Sequence, residues 1–289
     1  HAWHRNGTHR NDDHGKTHAF YRRPRQRGAF ACLIFTSLSA PAFAETSLRI
    51  AVYHTELSRD GPGLLLRAIR SGDDAQVVAI AMVISLVDAD VLVLGDVDYD
   101  HDGLALTALA DRLGNYPHLF ARAPNRGRQS GHDLDGDGRM GRADDAWGYG
   151  EFAGQGGLAI LSKYPIGAAI DFTDALWSAQ KDNLALTSTP PGHPLSTTAH
   201  WEVPIMLPDG QSVTLLSWHA TAPVFDGPED RNGRRNHDEA AFWLHRIKDA
   251  PPPNVVIAGF ANLDPVDGDG RAEALNALLT HPDLSDPKP

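Results

Sequence analysis

From residue 48 onward, apolar and polar positions fall into short blocks of two kinds. Residues 48–54, LRIAVYH, alternate and carry β-branched side chains, as a half-buried strand does. The run VLVLGD that follows Asp88-Ala89-Asp90, and NVVIAGF at 254–260, are continuously apolar, the mark of strands covered on both faces. GGLAILSKYPI (156–166) reads as another strand closing in a turn. LSTTAHWEVPIML and VTLLSWH read as two strands joined by the PDG turn at 208–210. Helical patterns lie between them: LLLRAIRSG after the Gly61-Pro62-Gly63 turn, 74–87 with Asp74 near its start, about 104–113, HDEAAFWLHRI, and 271–281. Residues 120–156 form a long polar, Gly-rich excursion, and 167–196 have little pattern. Strands alternating with helices at this spacing predict an α/β chain (α+β by some schemes). No internal repeat and no interdomain linker follows residue 45.

The start of the chain differs from this body. Residues 1–27 are polar, and Arg22, Arg23, Arg25 and Arg27 precede the apolar run GAFACLIFTSLSAPAFA, which ends in Ala42-Phe43-Ala44. A basic flank, a short apolar core and an A-x-A end describe a secretory signal peptide, and the run is short for a membrane span. The expectation is an extension and signal peptide over 1–44, one domain over 45–289, and export to the periplasm or beyond. Without 1–44 the chain keeps 19 Lys and Arg against 35 Asp and Glu, a formal charge of −16, and loses Cys32, its only cysteine. A body at −16 repels polyanions, so tight non-specific nucleic-acid binding is not expected. No stable membrane span is expected in the body, and a monomer is.

Candidate chemistry gathers at strand ends. His54 and Glu56 follow the first strand, Asp96 the second, His219 the later hairpin strand, and NVVIAGF leads to Asn262 and Asp264. In an open α/β sheet such positions converge on one rim. His, Asp, Glu and Asn together suit a divalent cation and phosphoryl chemistry, although each alone serves as well as a cap or turn residue. The stretch 217–243, SWHATAPVFDGPEDRNGRRNHDEAAFW, runs from strand through polar loop to helix. Its Arg231, Asn232, Asn236 and His237 are candidates to hold a phosphate. The other reading is an internally paired loop with Asn236 or Asp238 capping the helix. Trp218 and Trp243 read as packing residues.

LRIAVYHTEL, ADVLVLGDVDYD, GQGGLAILSKYPI, SWHATAPVFDGPEDRNGRRNHDE and VVIAGFANLDPVDGDGR resemble, in order, segments of the endonuclease/exonuclease/phosphatase superfamily, with its deoxyribonuclease-like fold. The similarity is greatest to its exported bacterial members and runs from about residue 48 to the end. The resemblance implies a four-layer α/β sandwich of two packed mixed sheets. It also implies Mg²⁺- or Mn²⁺-dependent attack of water on a phosphate ester, phosphodiester or phosphomonoester. It assigns His219 to the scissile phosphate, Asn262 to orienting phosphate or water, and Asp96 to the metal, where the family has Glu. His54 stands where the family has Asn, and imidazole is a better ligand for zinc than for a hard cation. Phe260 stands where the family has the Asp that polarises water. The family ends in a strand bearing an Asp-His pair, and the sequence stops before it. An incomplete C-terminus lacking its last strands is therefore expected.

Asp133, Asp135 and Asp137, followed by Gly138 and, at the twelfth position, Asp144, have the ligand spacing of a Ca²⁺ loop. The plainer reading is a solvated acidic turn. The leading expectation is an exported metal-dependent phosphoesterase-like hydrolase. Its rivals are a non-catalytic Ca²⁺- or ligand-binding protein on the same fold, and a zinc hydrolase using His54 and His219.

Overall fold

The computed structural model describes residues 47–287. The expected signal peptide at 1–44 lies outside the described residues. Over those residues the chain runs β1 (Ile50–Leu57), α1 (Leu64–Ser71), α2 (Ala75–Val87), β2 (Val91–Val97), α3 (Leu104–Leu113), β3 (His118–Phe120) and β4 (Gly157–Ser162). It continues with β5 (Ile170–Asp171), β6 (His200–Met206), β7 (Ser212–His219), α4 (Arg231–Asp249), β8 (Val255–Phe260) and α5 (Glu273–Leu279). The strands form two four-stranded sheets, ordered β1-β2-β4-β3 and β5-β6-β7-β8. Both are mixed: β1 with β2 and β7 with β8 are parallel, and the remaining neighbours are antiparallel.

Side-chain alternation along the strands builds the layers. In β2, Val91 and Val93 join Trp201, Val203 and Leu215 in a core between the sheets, while Leu92 and Leu94 pack with α1, α2 and α3. In β7, Leu215 faces the other sheet, and Leu216 and Trp218 pack with α4 and α5. A strand buried on both faces needs both side-chain sets apolar, which is why VLVLGD has no polar alternation. The order helix, sheet, sheet, helix is the four-layer α/β sandwich expected from the sequence. Trp201 is fully buried between the sheets and meets Phe120 edge-on at 5.0 Å. Such a pair contributes about 1 kcal/mol beyond its burial.

Asp74 caps α2 by accepting the Val77 N–H at 2.9 Å, as its position predicted. α4 differs from expectation. It begins at Arg231, not at His237, so Asn236 and Asp238 lie inside the helix and cap nothing. Its first turn is polar because those side chains and backbone groups have partners elsewhere. Asp226 accepts the Asn232 N–H at 2.5 Å, and Asp230 pairs with Arg271 at 2.7 Å. A hydrophobic period cannot reveal a turn held that way.

Candidate functional site

The strand ends open on a cleft of about 890 Å³. A kink at the end of the first sheet sets its floor. The β1–β2 register shifts between His54 and Leu57, opposite Gly95 and Val97. Within that irregularity Glu56 and Asp96 take left-handed φ values of 53° and 59°. Thr55 Oγ1 ties the bend by donating to the Gly95 carbonyl at 2.9 Å. Bulges at sheet rims re-aim side chains, and here the irregularity leaves Asp96 lining the cleft.

His54, Asp96, His219 and Asn262, named from four different strand ends, all line this cleft, as do Arg231 and Asn232 from the first turn of α4. Asn262 also takes a left-handed φ, 50°, and its Nδ2 donates to the Ala220 carbonyl at 2.7 Å. That bond links the ends of β7 and β8. His219 is 4% exposed, and its Nδ1 is buried without a hydrogen-bond partner among the described residues. Burial lowers its pKa to about 3, helped by the positive charge of Arg126 and by His54, so the ring is neutral near pH 7.

Phe260 occupies the position where an acid was absent from the sequence pattern, and the structure shows what its ring does. It packs at 5.4 Å from the His54 ring and 4.9 Å from the His219 ring. His54 and His219 are themselves 5.6 Å apart, edge to face. The Phe260 ring lies over Gly95, where any Cβ would come within 2.5 Å of Phe260 Cε2. The glycine next to Asp96 is therefore the space in which the phenyl ring sits.

Arg126 lines the same cleft and had no local signal in the sequence, because it stands in the featureless excursion at 120–156. Its Nη1 lies 2.9 Å from Asp96 Oδ1 and donates to the Gly156 carbonyl at 3.1 Å, while Nε donates to the Tyr149 carbonyl at 3.3 Å. The residue before it is fixed as well. Asn125 is fully buried, and its Nδ2 donates to the Thr173 and Ser196 carbonyls at 2.8 and 2.7 Å.

Two expected phosphate contacts lie elsewhere. Asn236 is buried and donates to the Thr221 and Ala261 carbonyls, both at 2.7 Å; it straps α4 to the ends of β7 and β8. His237 Nδ1 sits 2.9 Å from Asp238 Oδ1. Neither lines the cleft. Arg235, another arginine of the 217–243 stretch read as able to hold a phosphate, is instead buried and donates to the Trp147, Pro194, Leu195 and Ser196 carbonyls. It holds the loops of the cleft wall. Burial lowers its pKa to about 10, which leaves it charged.

The acidic loop gathers three of its four expected residues. Asp133, Asp135 and Asp137 offer oxygens within 4.8 Å of one another, and all three are exposed. Asp144 is not in that group but, like Asp135, lines the cleft; its neighbour Asp145 is buried and accepts the Leu134 N–H at 2.9 Å. Asp133 accepts the Gly136 and Gly138 N–H groups at 2.7 and 2.9 Å, the contacts of an acidic turn. The three carboxylates could hold a cation, and they supply only part of the roughly six to eight oxygens that Ca²⁺ takes.

Two face-to-face mixed sheets, opening at their strand ends on a cleft of imidazole, carboxylate, amide and guanidinium, define the class: a four-layer α/β sandwich with a rim site. The chain belongs to the Endonuclease/Exonuclease/phosphatase family, whose profile matches residues 65–287. That family includes metal-dependent phosphodiesterases and nucleases. Among solved structures, an endonuclease/exonuclease/phosphatase from Beutenbergia cavernae is similar at 18% identity and a TM-score of 0.49. The match covers 80% of this chain and 53% of that one, so this chain spans about half the length of that protein. Sphingomyelinase C from Streptomyces griseocarneus is similar at 20% identity, over 84% of this chain and 72% of that one, with a TM-score of 0.49. A beta toxin from Staphylococcus aureus with bound magnesium ions is similar at 18% identity, over 83% and 72%, with a TM-score of 0.48. No curated protein matches the chain.

The groups beside Asp96 are not the oxygen-rich set that suits a hard divalent ion of the kind the family uses; the cleft's other carboxylates, Asp135 and Asp144, come from the acidic loop. Mg²⁺ takes an octahedron of oxygens. Beside Asp96 stand two imidazoles and a phenyl ring, and one Asp96 oxygen is already held by Arg126. The carboxylate's charge is thereby balanced within the protein.

Proposed function

We propose that the chain engages a phosphate ester in this cleft as a phosphoesterase-like member of its family, with recognition of the phosphate as the part its described residues supply. The observation that carries this reading is the gathering of His219, Asn262, Arg126 and Arg231 in one cleft at the strand ends. A neutral imidazole, an amide and two guanidiniums are donors matched to phosphate oxygens. Water activation is another matter. Phe260 accepts no proton, and Asp96 is paired with Arg126. That pairing favours a second reading, binding without turnover, over the metal-dependent hydrolysis typical of the family. Export of the protein remains part of the proposal and rests on the sequence of residues 22–44.

Calorimetric titration of the full chain with phenyl phosphate and with a bis-aryl phosphodiester tests both readings, alongside release of aryl alcohol in Mg²⁺ or Mn²⁺. Saturable binding that weakens about tenfold or more in His219→Ala is expected. Absence of binding to either ester would sink the proposal. Metal-dependent turnover abolished by His219→Ala would replace the second reading with hydrolysis.

A further inference from the structure

We infer that the guanidinium of Arg126 serves in this cleft as the cation that receives the phosphate, in the role a divalent metal ion plays elsewhere in the family. The inference rests on the proposed phosphate-ester site and says where that site's positive charge resides.

The position of Arg126 is built into the fold. Its backbone follows a buried asparagine that bridges to Thr173 and Ser196, on the chain leading to the second sheet. Its side chain is steered by the Tyr149 and Gly156 carbonyls and ends against Asp96 of the first sheet. Gly156 takes a φ of +56°, and a Cβ there would collide with both Arg126 Nη1 and Asp96 Oδ1. A residue other than glycine would displace this ion pair. The site thus has two matched vacancies: Gly156 makes room for the guanidinium, and Gly95 makes room for Phe260. Together they set a fixed organic cation and an apolar wall beside Asp96.

Among the described residues the guanidinium bonds through Nε and Nη1, and the side chain is 23% exposed. A planar fork of N–H donors matches two phosphate oxygens at once, and its charge is permanent near neutral pH. Asp96 and an incoming phosphate compete for the same donors. The carboxylate keeps the guanidinium in place in the free protein, and it opposes the anion that the guanidinium attracts.

These relations give opposite effects for the two partners. Binding of phenyl phosphate and of inorganic phosphate to the full chain is measured by calorimetry in excess chelator and again in Mg²⁺. Wild-type affinity is expected to be the same in both. Arg126→Gln is expected to lose about tenfold or more in affinity, the worth of one charge-assisted contact. Arg126→Lys, which keeps the charge without the fork, should fall between. Asp96→Asn is expected to bind several-fold more tightly, since the competing charge is gone. Thermal melting of each variant shows that it is folded, and Arg126→Lys carries the comparison if Arg126→Gln does not fold. Binding that requires Mg²⁺, or that disappears in Asp96→Asn, would overturn the role of Arg126 and leave the phosphate site standing. So would an Arg126→Gln protein, or an Arg126→Lys protein in its place, with wild-type affinity. No binding by wild type under either condition would overturn the phosphate site and this inference with it.

Discussion

At the scale of single residues, the site is a set of exchanges. Phe260 fills the space that Gly95 leaves open, and its ring fixes the spacing of His54 and His219. A methyl group at residue 95 has nowhere to go except into that ring. Gly95→Ala is expected to destabilise the fold by about 1–3 kcal/mol, the usual cost of overpacking a core. Phe260→Ala in the same chain should relieve most of the clash, so the double variant should be more stable than the sum of the single effects. Denaturant titration of the three variants checks this; strict additivity would mean that the two residues are not coupled. His54, Asp96, His219 and Asn262 were legible in the sequence because each stands at the polar end of an apolar run. Arg126 was not, since its neighbours at 120–156 carry no period and its partners Asp96 and Gly156 are distant in sequence. The meaning of Gly95 beside Phe260 was equally hidden, because only the packing of one sheet on the other brings β2 and β8 together.

At the scale of elements, α4 carries more of the site than its amphipathic pattern implies. Its apolar stripe, Ala240, Trp243 and Ile247, packs on the second sheet as its period predicts. Its buried polar residues do different work. Asp238 accepts from Trp177 Nε1 and the Leu184 N–H, both at 2.6 Å. Glu239 is fully buried and accepts the Thr197 and Thr221 N–H groups, both at 2.7 Å. These bonds fix the loops on either side of the cleft, at Thr197 before β6 and Thr221 after β7. Glu239→Ala leaves a buried and a part-buried donor unsatisfied and is expected to cost about 3 kcal/mol, whereas Glu239→Gln, which keeps an acceptor, should cost less. Chemical denaturation measures the difference; equal losses for the two variants would contradict the role given to the carboxylate oxygens. The start of α4 escaped the sequence reading for the same reason, because buried polar side chains look like a solvated loop until their partners are known.

At the scale of the whole molecule, the order of apolar runs was enough to predict an α/β chain, and the family resemblance supplied the two packed sheets and four layers. The pairing of edges was not readable, because strand order depends on which faces are covered. The sandwich also buries imidazoles, and this gives the fold a dependence on pH. His193, His200 and His219 are held at about 3, 4 and 3, in each case chiefly by burial, against an ordinary value of 6.5. Below 6.5 the unfolded chain takes up protons at these positions that the folded chain refuses. Stability from these rings is therefore complete above 6.5 and is lost as pH falls toward 4 and 3. Glu239, raised to about 7 by burial, opposes them, since its contribution is full below 4.5 and lost as pH rises through 7. Near pH 5 each imidazole has lost about 2 kcal/mol and the one carboxyl has regained about as much, so the three imidazoles outweigh it. Stability should thus decrease between about pH 7 and pH 5, with a shallower slope in His200→Gln; a stability that rises toward acid would contradict this. The cleft itself is tested most directly by the imidazole ¹⁵N signals of the full chain, assigned with His219→Ala and titrated with phenyl phosphate. Saturable movement of the His219 signals, with those of the buried His200 unmoved, is the expected result. His219 signals that stay fixed at saturating ester would contradict phosphate binding at these strand ends.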